Sequence, residues 1–245
     1  MELRFIHFYP DLMSLYGSYG NVAVLKRYLE RLGNAVAVET VQPGETTDLS
    51  GADFLYMGAG TERAARAAME DFAQYGPAVR DAGLAGTTML FAGTAMELLG
   101  ETVTEADGTV YPGIGLASFA TVHGTVREVG DVYGHTDLFP ELIVGFMNKC
   151  GTITGVETPL LTDGVAGFGN EESCEPEGFH WRNVFASELT GPILVKNPRL
   201  LEAVAAAIYA HRGAELPEDA AADEWAQRGY AVTVEELRRR FDQRP

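Results

Sequence analysis

The run Thr87-Thr88-Met89-Leu90-Phe91-Ala92-Gly93-Thr94-Ala95-Met96-Glu97-Leu98-Leu99-Gly100 decides the fold. An apolar strand from Thr87 to Phe91 passes directly into a turn of small residues, and Met96 to Leu99 opens a helix with no loop between. A reversal that sharp marks a strand-to-helix elbow. Small neighbours let the backbone double back, and the helix N-terminus lies behind the central residue. Gly93 is that central residue.

Upstream, Ala52 to Met57 reads as a strand entering the turn Gly58-Ala59-Gly60, with a helix from about Glu62 to Tyr75 and a short Pro77-led helix after it. Earlier still, the strands Leu3 to Tyr9 and Ala35 to Val41 flank a helix over Asn21 to Leu32. That helix carries Val22, Leu25, Tyr28, Leu29 and Leu32 at helical spacing and stops at Gly33. The β-α alternation predicts an α/β fold: a doubly wound, mainly parallel sheet in a three-layer αβα sandwich. Downstream, Ala117 to Val122, Gly124 to Glu128, Leu142 to Met147 and Val184 to Glu188 are short strand-like runs, some of them pairing antiparallel. Pro198 to His211 is a helix that closes a domain over residues 1–212. Residues 213–245 then form an appendage: an acidic, alanine-rich linker over Gly213 to Ala226 and a last helix from Thr233, where T-V-E-E has the form of a capping box.

Composition narrows the function. The 245 residues carry 18 basic and 35 acidic side chains, a net charge of −17, while 46% hydrophobic content supplies a core and excludes bulk disorder. So negative a surface repels phosphate backbones and anionic leaflets, so no nucleic-acid partner is expected. No apolar run reaches the roughly 18 residues of a membrane span, and Glu2, Arg4 and His7 interrupt the N-terminus where a signal peptide would be apolar. No membrane insertion and a cytoplasmic location follow as expectations. Cys150 and Cys174 are too few for a disulfide framework or a zinc knuckle. His123, His135 and His180 stand apart without metal-ligand spacing, so neither metal nor cofactor is expected. Gly58-Ala59-Gly60 lacks the Lys-Ser/Thr of a phosphate-binding P-loop.

Six segments, in this order and spacing, resemble the class I (triad) glutamine amidotransferases of the cobyric-acid-synthase-like branch. They are Leu15-Tyr16-Gly17-Ser18-Tyr19-Gly20-Asn21, Gly58-Ala59-Gly60-Thr61-Glu62-Arg63, the elbow, Gly145-Phe146-Met147-Asn148, Gly167-Phe168-Gly169-Asn170 and Leu189-Thr190-Gly191-Pro192-Ile193-Leu194-Val195-Lys196-Asn197-Pro198. In that family a cysteine thiolate attacks the side-chain amide of glutamine, a histidine activates it, and backbone N–H groups hold the oxyanion. The resemblance puts the nucleophile at Gly93, or at Ala92 in a register one residue earlier, and the histidine at Thr190. It puts the carboxylate-binding arginine at Thr152, an aspartate at Ser18 and the oxyanion loop at Gly58 and Gly60. Glycine, alanine and threonine supply neither attack nor proton transfer.

The resemblance therefore implies a noncatalytic glutamine-amidotransferase-like subunit. It would stabilise or regulate a Mur-ligase-like ATP-dependent synthetase in peptidoglycan (lipid II) modification. Two alternatives stay open: a working glutaminase supplying ammonia for lipid II or corrinoid amidation with Cys150 as relocated nucleophile, and a small-molecule sensor using the vacated pocket. The plainer readings make Cys150 a small buried hydrophobe and Cys174, among carboxylates, unreactive. Glu97 would satisfy local backbone groups, and Glu171, Glu172, Glu175 and Glu177 would form a solvated acidic loop.

Overall fold

In a computed structural model, residues 1–171, 174–218 and 220–242 are described. The chain runs β1 (Glu2–Phe8), α1 (Gly20–Arg31), β2 (Ala35–Val41), β3 (Phe54–Met57), α2 (Glu62–Phe72), α3 (Gly76–Ala85), β4 (Thr88–Ala92) and a 3₁₀ segment (Gly93–Leu99). There follow β5 (Thr102–Thr104), β6 (Val110–Pro112), β7 (Ala120–Thr136), β8 (Phe139–Thr154), β9 (Asp163–Ala166), β10 (Phe179–Trp181), β11 (Val184–Ser187) and β12 (Leu189–Thr190). Three helices close it: α4 (Ile193–Lys196), α5 (Pro198–His211) and α6 (Glu224–Asp242).

Strands that are apolar on both faces must be covered on both faces. β3 and β4 are buried at every residue, and they sit at the centre of a sheet ordered β10-β11-β4-β3-β1-β2. All its pairings are parallel except β10 with β11. Phe5, Phe54, Tyr56 and Leu90 join a core with Leu25 and Leu29 of α1 and Val204 and Ile208 of α5. Their neighbours Phe8, Leu55, Met89 and Phe91 point the other way, against Ala68, Met69 and Phe72 of α2 and Val79 of α3. This alternation produces the doubly wound sandwich.

The second half departs from the sequence expectation. The short runs around Ala117–Glu128 and Leu142–Met147 merge into a long antiparallel hairpin, β7 with β8, whose register shifts between His123 and Glu128. The hairpin belongs to a second sheet ordered β12-β8-β7-β5-β6, with β9 on β7. The last helix starts at Glu224 rather than at Thr233. The Thr233 hydroxyl bonds back to the Gly229 carbonyl inside the helix, so the apparent capping box caps nothing. Nor does 213–226 hang free: Ala220 and Ala222 are buried, Tyr28 donates to the Ala220 carbonyl, and the Ala222 N–H meets Glu202 Oε1 at 2.7 Å. α6 then lies on β8, with Leu237 packed on Leu142 and Val144 and the Tyr230 hydroxyl 2.7 Å from the Leu142 carbonyl. No described helix is long and apolar enough to cross a membrane.

Candidate functional site

The segments leaving the C-terminal ends of β1, β3 and β4 converge where a doubly wound sheet places its ligand. At the elbow Ala92 is extended, with φ −116° and ψ 138°, whereas Gly93 has φ +63°. The bend therefore falls on Gly93 and not on Ala92, in a left-handed conformation that glycine adopts without steric cost. A Cβ at Gly93 would lie 2.6 Å from the Ala59 Cβ and 3.2 Å from the Ala59 Cα. The Ala59 methyl occupies the space in which an elbow side chain would begin.

The loop around Ala59 is equally closed. The Gly60 N–H donates to Thr94 Oγ1 at 2.9 Å, and that hydroxyl sits 3.2 Å from the Gly60 carbonyl. The Ala59 N–H bonds Ser18 Oγ at 3.3 Å, and Ser18 lies fully buried with its hydroxyl 3.4 Å from the Met13 carbonyl. Ser18 thus ties the first loop to the second. A Cβ at Gly58 would collide with Ser18 Oγ and the Met13 carbonyl, so only glycine fits there.

These loops wall a pocket of about 240 Å³ lined by Gly60, Gly93, Thr94, Thr190, Arg127, Glu62 and Glu188 among others; Gly58 lies behind the wall. Thr190 reaches the pocket from β12, which pairs with β8, and its hydroxyl donates to the Phe146 carbonyl at 2.9 Å. Thr152 is not brought to the pocket. It is an exposed residue of β8 opposite Val122, too far along the strand to face the elbow. The arginine present is Arg127 of β7, which pairs with Glu62 and donates to Asn148 Oδ1 at 2.8 Å, while Asn148 reaches the Tyr16 hydroxyl at 2.6 Å. Sequence reasoning missed Arg127; its one signal was a lone cation between Val126 and Glu128 in a strand-like run.

The profile of the CobB/CobQ-like glutamine amidotransferase domain matches residues 4–198. The chain belongs to the CobB/CobQ-like glutamine amidotransferase family. It is 31% identical over 201 residues to the lipid II isoglutaminyl synthase (glutamine-hydrolyzing) subunit GatD of Streptococcus pneumoniae, covering 81% of this chain and 77% of that protein. The GatD of Staphylococcus aureus is 30% identical over 199 residues, 80% of each. A glutamine amidotransferase crystal structure from Thermotoga maritima superposes with a TM-score of 0.53 at 14% identity, covering 96% of this chain and 95% of the other. A second glutamine amidotransferase structure gives 0.54 at 16% identity over 83% and 98%. At such identities the two structures speak for the amidotransferase fold alone.

Beneath the amidotransferase-like elbow lies a polar layer that is rare inside a protein. Glu97 is buried and bonds His123 Nε2 at 2.9 Å, and Glu105 meets the other ring nitrogen at 3.2 Å. Glu97 is therefore half of a buried ion pair rather than a backbone cap. Its hydrogen bond holds His123 up at about 9 in spite of burial. The imidazole separates the two carboxylates, and no group of three His, Cys, Asp or Glu side chains converges as a metal site among the described residues. Glu177 is fully buried, not part of a solvated loop, and takes the Ser187 hydroxyl at 2.9 Å and the Glu188 N–H at 2.7 Å. Burial raises its carboxyl to about 7. Glu172 lies outside the described residues. Burial first, and the neighbouring Glu97 second, push Glu188 up to about 8. Lys149, equally buried, donates to the carbonyls of Gly169 and Asn170 and stands 3.7 Å from Glu128. Cys150 has its thiol 3.7 Å from Glu62 Oε1, and burial together with that carboxylate raises it to about 11. It is a thiol, not a thiolate, near neutral pH.

Proposed function

We propose that this chain is a noncatalytic glutamine-amidotransferase-like subunit that pairs with a Mur-ligase-like ATP-dependent synthetase in peptidoglycan (lipid II) modification, stabilising or regulating that partner. The pathway reading rests on the two lipid II isoglutaminyl synthase subunits it resembles along about four-fifths of its length. The noncatalytic reading rests on one observation. Gly93 stands at the elbow with the Ala59 methyl where a nucleophile would begin, and the Gly60 N–H suited to an oxyanion is bonded to Thr94. Losing the nucleophile or base of a comparable triad costs on the order of 10⁶ in turnover. The Thr190 hydroxyl, committed to a carbonyl, is no base near neutrality. The relocated-nucleophile alternative is disfavoured because the Cys150 thiol stays protonated against Glu62.

Exposed apolar side chains are available for association: Tyr16 lines the pocket, and Tyr19, Val126 and Val195 are exposed elsewhere on the surface. Large exposed apolar side chains favour a protein partner. With a net charge of −17, the complementary face should be basic and association should slow with salt. Co-expression with a candidate synthetase followed by size-exclusion chromatography at low and moderate salt tests the pairing. A heterodimer burying at least about 1,000 Å² is the expected result. Separation into two free proteins under both conditions removes the subunit reading.

A further inference from the structure

We propose that the pocket binds a small protonated amine, an ammonium or primary alkylammonium group, on the carboxylate of Glu188. Glu188 lines the pocket and is only 2% exposed, and its Oε2 is sealed from solvent with no hydrogen-bond partner. The side-chain donors of His123, Lys149, Thr190 and Arg127 are already committed. Both ring nitrogens of His123 face Glu97 and Glu105, Lys149 serves two carbonyls, Thr190 serves Phe146, and Arg127 serves Glu62 and Asn148. A buried acceptor without a donor is a costly arrangement, and a ligand that brings N–H groups relieves it.

The surroundings select the kind of ligand. Glu62 and Arg127 pair with each other across the lining, and Lys149 is held by two carbonyls and Glu128, so Glu188, with Glu97 as its charged neighbour, is the lining charge without a partner and favours a cation. A metal ion would need several converging ligands, which the described residues do not provide. At about 240 Å³, with the Ala59 methyl filling the elbow, the space takes a compact group. This inference does not depend on the absence of glutamine hydrolysis, because an alkylammonium has no amide to cleave.

A cation and a proton compete for the same carboxylate. The charged groups facing Glu188 are Glu97 from the 3₁₀ segment, His123 from β7, Lys149 from β8 and Glu177 from the stretch before β10. With the Glu188 carboxyl at about 8 in the free protein, binding releases its proton. Affinity then rises about tenfold from pH 6 to pH 7 and levels off above pH 8 to 9.

The test is titration of the full chain with methylammonium chloride, followed by two-dimensional amide NMR and calorimetry, with sodium and tetramethylammonium chloride at matched ionic strength as controls. Saturable binding with that pH dependence is expected, with the largest shifts at residues lining the pocket. It should fall at least tenfold in Glu188→Gln, and tetramethylammonium, which has no N–H, should give none. Should Glu188→Gln fail to fold, proton release by the unaltered chain, read from the binding heat in two buffers of different ionisation enthalpy, decides instead. No saturation below about 100 mM beyond the sodium control, equal binding of tetramethylammonium, or binding that releases no proton overturns the proposal. Glutamine turnover by the purified chain would overturn the noncatalytic reading and leave this one standing.

Discussion

The two sides of the pocket obey opposite rules. On the elbow side glycine takes the left-handed turn, the Ala59 methyl fills the gap, and Thr94 closes the Gly60 N–H. On the floor side the carboxylates of Glu97, Glu177 and Glu188, a histidine and a lysine are packed together out of water, and Glu188 Oε2 is left without a partner. A loop N–H bonded to Thr94 is not turned toward a developing oxyanion, whereas a floor with an unmet acceptor invites a donor. The contrast separates chemistry from binding, which need not be kept or lost together in one pocket.

The largest expected effect is on the floor. Lys149→Met should destabilise the protein by about 3–5 kcal/mol in urea unfolding, because it leaves buried carbonyls and carboxylates without their cation. A loss below about 1 kcal/mol would mean the lysine is not integral to the layer. Next comes the elbow: Gly93→Ala should cost about 2–4 kcal/mol, from the left-handed turn and the collision with Ala59 together. Adding Ala59→Gly should restore at least about 1 kcal/mol, and a pair of changes that simply add would show that Ala59 does not occupy that space.

A smaller effect reads the floor through pH. Glu188, Glu177 and His123 all bind protons more tightly folded than unfolded, so their stabilisation is present at low pH and lost as pH rises through about 8, 7 and 9 respectively. His7, buried and held neutral down to about 4, acts with the opposite sign below pH 6.5. Between pH 4.5 and 6.5 the two glutamates outweigh His7, so the stability these four groups contribute should be highest near pH 4.5 and fall as pH rises. The Glu188 share of the fall from pH 6.5 to pH 8, about 2 kcal/mol, should vanish in Glu188→Gln, and parallel pH profiles of the two proteins would contradict this. The smallest effect concerns Cys150, whose thiol should react with iodoacetamide at pH 7.5 about 100-fold more slowly than an unperturbed thiol.

The parallel sheet was legible because Phe54–Met57 and Thr88–Ala92 are uninterrupted apolar runs that end in small-residue turns. The hairpin was not, because Gly124, Gly130 and Gly134 break the alternation along β7 that would have marked one long strand. Gly93, Thr190 and Gly60 were readable as neighbours of one pocket from the order of their motifs. Thr152 was misplaced and Arg127 overlooked because the β7–β8 register decides which strand residues face the elbow, and its shift between His123 and Glu128 is invisible in one sequence. In the sequence Glu97 reads as a partner of local backbone groups, Glu177 as part of a solvated loop and Glu188 as the end of a strand-like run. Only long-range packing shows that they share a buried layer with His123 and Lys149.

The central claim, a chemically empty elbow, is tested most directly by incubating the purified chain with a glutamine-analogue electrophile and weighing the intact protein. The account predicts an unmodified mass at neutral pH, since Gly93 has no side chain and the Cys150 thiol is held protonated. A stoichiometric adduct that maps to Cys150 and is blocked by glutamine would contradict it.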